Sequence, residues 1–223
     1  MNGITPVRIA RDHLRLAAHL YLPPGEGPFA CVAFVHGLGS GKDSPRNVVI
    51  AARLVDAGIA ALLFDLSGHG ESDADPRDGG EGAWVEDLEA AFRWARTRPE
   101  IAPERIGVAG SSLGGVIALD ATRRGLIHPA ALVLRAPPAE GRQFVHIEVP
   151  TLVIVGGHDP LLSQVHDAMA MSEWATLSVV AGASHLFEEP GTLEQATEQT
   201  VEWFKAHLTG APEPSIYNLG EVD

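Results

Sequence analysis

Six short apolar runs, separated by longer segments with helical spacing, set what this chain can fold into. The runs cover residues 30–35, 59–65, 106–110, 130–135, 151–155 and 176–180. Each is continuous rather than alternating, which suits a strand buried on both faces of a parallel sheet. Upstream, residues 7–10 and 14–22 read as an antiparallel hairpin turning at Asp12. Helices fit between the runs. Residues 45–57 have Ser44 as a candidate N-cap, Pro45 at the first helical position and Gly58 as a stop. Residues 81–98 place Trp84, Leu88, Ala91 and Ala95 at helical spacing. Residues 113–124, 161–174 and 193–208 complete the set. This alternation predicts an α/β fold with a mostly parallel central sheet, helices on both faces and an N-terminal antiparallel hairpin. One domain is expected over residues 1–208, followed by a Pro-containing, acidic tail at 209–223.

Charge and cysteine content exclude several classes. The chain has 16 Lys plus Arg against 29 Asp plus Glu, a formal charge of −13, and no basic run. Such a chain is a poor electrostatic partner for nucleic acid or an anionic membrane. Cys31 is the lone cysteine and sits in an apolar run, so an inert buried thiol is expected, with no intrachain disulfide and no cysteine zinc cluster. No H-E-x-x-H spacing occurs, and no metal or cofactor is expected. Residues 1–10 lack an apolar signal core, and no stretch approaches the ~20 apolar residues that span a bilayer. A cytoplasmic protein acting on a small molecule is the expectation; a homodimer stays open.

The strongest chemical signal is Gly110-Ser111-Ser112-Leu113-Gly114. It follows a strand and opens a helix, the setting that a G-x-S-x-G nucleophile elbow needs. The central Ser of such an elbow sits at strained φ/ψ in a tight turn, and the flanking glycines remove Cβ atoms that would clash across it. Ser112 is therefore the candidate nucleophile. A serine hydroxyl needs a base, and the base an orienting acid, in the chain order Ser, acid, His at successive strand ends. Asp159, in Gly156-Gly157-His158-Asp159-Pro160, follows the strand at 151–155 and is the candidate acid; His185 follows the last strand and is the candidate base. Glu140 is the rival acid and His158 the rival base. The glycine-rich loop His36-Gly37-Leu38-Gly39-Ser40 can turn an N–H toward the site. The N–H groups of Leu38 and Leu113 would then hold a developing oxyanion, each worth about 3 kcal/mol in the transition state.

Other features read as structure. Gly39-Ser40-Gly41-Lys42-Asp43 resembles a P-loop only superficially: His36 takes the first Gly position, and Asp43 replaces the magnesium-binding hydroxyl. His69 reads as a loop anchor rather than a catalyst. Trp84, Trp94, Trp174, Trp203, Met169 and Met171 read as core. Arg46, just past the glycine loop, and Arg135, ending a core strand, could hold a substrate carboxylate; a structural ion pair or a solvated helix face is the plainer account of both.

These landmarks together resemble the α/β-hydrolase superfamily, over nearly the whole chain to about Leu208. Within it, the chain looks like the small dienelactone-hydrolase-like group. Ser44-Pro45-Arg46-Asn47 and the stretch from Gly182 to Pro190 are similar to hydrolase domains that some bacteria fuse to phosphoribosyltransferase domains. Dienelactone hydrolases proper use a Cys nucleophile where this chain has Ser112, which favours ordinary serine-esterase chemistry. The resemblance also excludes dehalogenase and epoxide-hydrolase variants, which need Asp at the elbow. Relatives carry a cap domain after the sixth strand; here about 14 residues, from 136 to 149, fill that place, too few for one. The resemblance thus implies a lidless serine esterase for small or short-chain esters. Thioesterase, amidase, acyltransferase and a non-catalytic binding module are the alternatives on the same fold.

Overall fold

The continuous apolar runs do pair into one sheet. The computed structural model describes residues 3–74 and 80–210; the expected tail beyond Gly210 lies outside them. Eight strands run in chain order: β1 (Gly3–Arg11), β2 (Leu14–Leu22), β3 (Phe29–Val35), β4 (Ala60–Phe64), β5 (Ile101–Ser111), β6 (Leu132–Arg135), β7 (Thr151–Gly156) and β8 (Ala175–Val180). Their spatial order is β1-β2-β4-β3-β5-β6-β7-β8. The hairpin β1–β2 joins β4 antiparallel, and every later pairing is parallel. Asp12 turns the hairpin at φ 50°.

Five helices cover the two faces: α1 (Pro45–Asp56), α2 (Glu81–Arg96), α3 (Leu113–Arg123), α4 (Leu162–Met169) and α5 (Thr192–Leu208). Successive residues of β3 supply both sides of the sheet. Val32 and Phe34 pack with Ile50 and Leu54 of α1 and Phe204 of α5. Ala33 and Val35 pack with Leu88 of α2, Ile117 of α3 and Val165 of α4. Each large side chain buried this way contributes about 1.5–3 kcal/mol of transfer free energy.

Several local expectations are corrected. Residues 161–174 do not form one helix: α4 ends at Met169, and the Thr151 N–H takes the Trp174 carbonyl at 2.9 Å. The chain has by then rejoined the sheet, so Met171 and Trp174 are exposed, not core. Strand β8 is not buried on both faces; it has one neighbour and exposes Val179. Ser44 does occupy the N-cap position of α1, but its side chain makes no cap hydrogen bond and lines a cleft instead. Residues 136–150, between β6 and β7, hold no helix or strand.

Candidate active site

The parallel strands end on one side of the sheet, and the candidate groups sit on those ends. Ser112 follows β5 directly, at φ 50° and ψ −124°. Such a conformation costs of order 1–3 kcal/mol and must be held by its surroundings. Here the Ser112 N–H donates to the Arg135 carbonyl at 2.8 Å, and the Gly115 N–H donates to the Ser112 carbonyl at 2.8 Å. A Cβ on Gly110 would lie 2.5 Å from the Gly114 carbonyl oxygen, and one on Gly114 would strike the Val35 carbonyl. The turn closes only because both atoms are missing.

His185 arrives from the turn after β8. Its Nε2 lies 3.2 Å from Ser112 Oγ, and its Nδ1 lies 2.8 Å from Asp159 Oδ2. Asp159, on the turn after β7, is buried, and its other oxygen accepts the Leu161 N–H at 2.9 Å. Hydroxyl, imidazole and carboxylate thus form one hydrogen-bonded series across residues 73 and 26 positions apart in sequence. Such a series can take a proton from the hydroxyl as it attacks. Glu140 and His158, the rival acid and base, are exposed: the Glu140 N–H donates to Gln143 Oε1 at 2.8 Å and the His158 N–H to the Ala183 carbonyl at 2.9 Å, and among the described residues neither side chain joins the Ser112 series.

The loop after β3 meets the same spot. Leu38 is 72% exposed on the cleft, and Leu113 opens α3. Among the described residues, neither residue's N–H donates to a protein acceptor. Both remain available to a ligand oxygen at the positive end of α3.

A polar network around Asp65, Lys42, His36 and His69 holds this loop. Buried Asp65 accepts the N–H of Lys42 at 2.6 Å and that of Glu71 at 3.0 Å. The Lys42 ammonium, itself buried, meets Asp65 at 3.5 Å and Glu71 at 2.9 Å. His36 accepts the Leu66 N–H on Nε2 at 3.0 Å and meets the Gly37 carbonyl through Nδ1 at 2.8 Å. Those partners require a neutral ring with its proton on Nδ1, and burial accordingly pushes the His36 pKa down. His69 stacks edge-on against His36 and Trp84 as a loop anchor. On the other wall, Glu189 accepts the Ser184 N–H at 2.9 Å, fixing the turn that carries His185 and holding the Glu189 carboxyl below the usual range.

The cleft encloses about 270 Å³ and is lined by Leu38, Ser112, His185 and Leu186 together with Arg46 and Arg135. Of the two plainer accounts of these arginines, the ion pair is not made: neither meets a carboxylate among the described residues. Arg135 donates instead to Asn47 Oδ1 at 2.8 Å. Burial, and then the Arg46 guanidinium, push the Arg135 pKa down to about 10. Among the described residues, no group of three or more His, Cys, Asp or Glu side chains could hold a metal, and no helix is long and apolar enough to cross a membrane.

Residues 26–145 match the family described as serine aminopeptidase, S33. A Mycobacterium tuberculosis protein named for phosphoribosyl transferase activity is 38% identical over 220 residues, which are 94% of this chain and 47% of that protein. The chain thus spans about half the length of the curated relatives it matches first. A dienelactone hydrolase structure from Anabaena variabilis superposes with a TM-score of 0.79 and 30% identity, covering 93% of this chain and 99% of that one. Est1E from Butyrivibrio proteoclasticus, with ferulic acid bound, shares the fold at a TM-score of 0.82 and 19% identity over 92% of this chain and all of its own.

Proposed function

Because the chain belongs to the α/β-hydrolase superfamily, with the sheet and helices of that fold, we propose that this hydrolase cleaves small or short-chain carboxylic esters through an acyl-enzyme on Ser112. The observation that carries this reading is the unbroken contact series from Ser112 Oγ to His185 to Asp159. Ser112 Oγ attacks the carbonyl carbon as His185 Nε2 takes its proton. The carbonyl oxygen becomes an oxyanion facing the N–H groups of Leu38 and Leu113. Collapse of this intermediate expels the alcohol, which leaves with the proton held by His185. Water, deprotonated by His185, then attacks the acyl-enzyme and frees the acid and Ser112. Asp159 holds the imidazole proton on Nδ1 and stabilises the imidazolium. These steps need no cofactor.

Two features favour esters of modest size. The turns at 136–150 place no helical cap between β6 and β7, so an open cleft without interfacial activation is expected. The family's description names aminopeptidases, but a substrate amine would bring positive charge to a cleft that already holds Arg46 and Arg135. The reading takes residues 1–208 as the working unit. Its test is hydrolysis of p-nitrophenyl acetate, butyrate and octanoate by wild type and Ser112→Ala. Turnover of the short esters, falling by about 10⁴ in the variant, is expected. Equal inactivity of both proteins, or a rate jump only above the micelle concentration of the octanoate, would overturn it.

A further inference from the structure

We propose that Arg46 and Arg135 form a carboxylate-binding subsite beside Ser112, so that the preferred substrates are esters bearing a carboxylate of their own. The inference rests on the esterase reading and names its substrate class. Arg135 is the last residue of β6 and only 9% exposed, yet it lines the same cleft as Ser112 and His185. A guanidinium carries five N–H donors. One hydrogen bond to protein is present, and it goes to a neutral amide, Asn47 Oδ1 at 2.8 Å. Asn47 is itself buried, in the first turn of α1. An amide oxygen orients the guanidinium without cancelling its charge, which a carboxylate there would do.

Leaving a buried charge without a counterion is costly, and setting a second cation nearby raises the cost. Arg46 does this from the preceding residue of α1, in the lining of the same cleft. The chain does not lack acids: it has 29 against 16 basic residues. Arg11, Arg98 and Arg123 each meet a carboxylate within 4 Å. The pair at the cleft has none among the described residues. Both guanidinium groups line one opening, and a planar guanidinium fork matches a carboxylate bidentately. The backbone adds proximity, since the Arg135 carbonyl takes the Ser112 N–H at 2.8 Å. An anion held there lies next to the reacting ester.

The experiment compares kcat/KM for p-nitrophenyl hemisuccinate with that for its methyl ester, a size-matched neutral substrate. Wild type should favour the acid at least tenfold. Arg135→Gln should cut that ratio about tenfold, chiefly through KM for the acid, and Arg46→Gln should lower it in the same direction. Because Arg46 is half-buried and makes no hydrogen bond or ion pair among the described residues, its variant serves if Arg135→Gln fails to fold. A wild-type ratio near one, or a ratio unchanged in both variants, overturns the inference while leaving the esterase reading in place. Calorimetric titration of Ser112→Ala protein with succinate reads the subsite without turnover. Binding that disappears in Ser112→Ala/Arg46→Gln supports the subsite even if no ester is cleaved. Absence of binding to Ser112→Ala counts against it.

Discussion

Asp65 Oδ1 accepts the backbone N–H of Lys42 at 2.6 Å, fastening the loop that carries Leu38 to the residue just past β4. The same carboxylate takes the Glu71 N–H and neutralises buried Lys42. Asp65→Ala would leave that ammonium with only the exposed Asp43 and Glu71. Breaking a buried pair costs about 3–5 kcal/mol, and in a chain of this size each kcal/mol moves Tm by about 2–4 °C. We expect Tm to fall by roughly 10 °C in differential scanning calorimetry. In steady-state assays on p-nitrophenyl butyrate, kcat should fall more than KM rises if, as proposed, the loop serves the oxyanion rather than the bound ester.

His36 makes stability pH-dependent in a defined window. Its folded pKa lies below the ordinary value of 6.5, because burial disfavours the charged ring. The unfolded chain therefore binds the extra proton first, and stability rises with pH across the interval between the two values. The contribution is present above about 6.5 and is lost as pH falls through the folded value. Wild type should lose Tm between pH 7.5 and 5.5, and His36→Asn, measured alongside, should lose less. An equal loss in both proteins would remove His36 as the cause.

Asp159→Asn should fold and yet lose about 10⁴-fold in kcat. The new amide can keep its oxygen toward the Leu161 N–H, which turns its NH₂ toward His185 Nδ1. The imidazole then carries its proton on Nε2 and faces Ser112 Oγ as a donor instead of an acceptor. Nitrogen-15 NMR of the His185 ring reads this tautomer directly. A ring still protonated on Nδ1 would refute the account.

Two glycine variants separate steric need from backbone preference. A methyl on Gly114 meets the carbonyl oxygens of Val35, the last residue of β3, and of His36, which directly follows it, so neither can easily retreat. Gly182, at φ 74°, has open space around its Cβ position. Gly182→Ala should cost about 1 kcal/mol, the strain of a positive φ alone. Gly114→Ala should cost several times that or prevent folding. Urea titration of both proteins checks the order.

The sequence made the candidate site's arrangement legible where that arrangement depends on neighbours in the chain. The elbow is such a place: Gly110, Ser112 and Gly114 act on one another across a single turn, so their spacing carries the geometry. Asp159 and His185 were readable because a parallel sheet sends its strand ends to one side. What escaped was longer in range. Arg135 meets Asn47 across 88 positions, and Asp65 gathers the N–H groups of residues on both sides of it only once β3 and β4 are paired. No local pattern records either contact. The helical period through 161–174 misled for the opposite reason: periodicity continued where the chain had to return to the sheet, and Trp174 went outward.

Ser112, Asp159 and His185 stand on the ends of three different strands, and the crossing from β6 to β7 contributes nothing to their contacts beyond the backbone of Arg135. Residues 136–150 therefore form a grafting point. Chain added there would overhang the cleft and change what is admitted, while β5, β7 and β8 kept their registers. An insertion at 136–150 is therefore expected to change which substrates enter while Ser112, Asp159 and His185 keep their contacts.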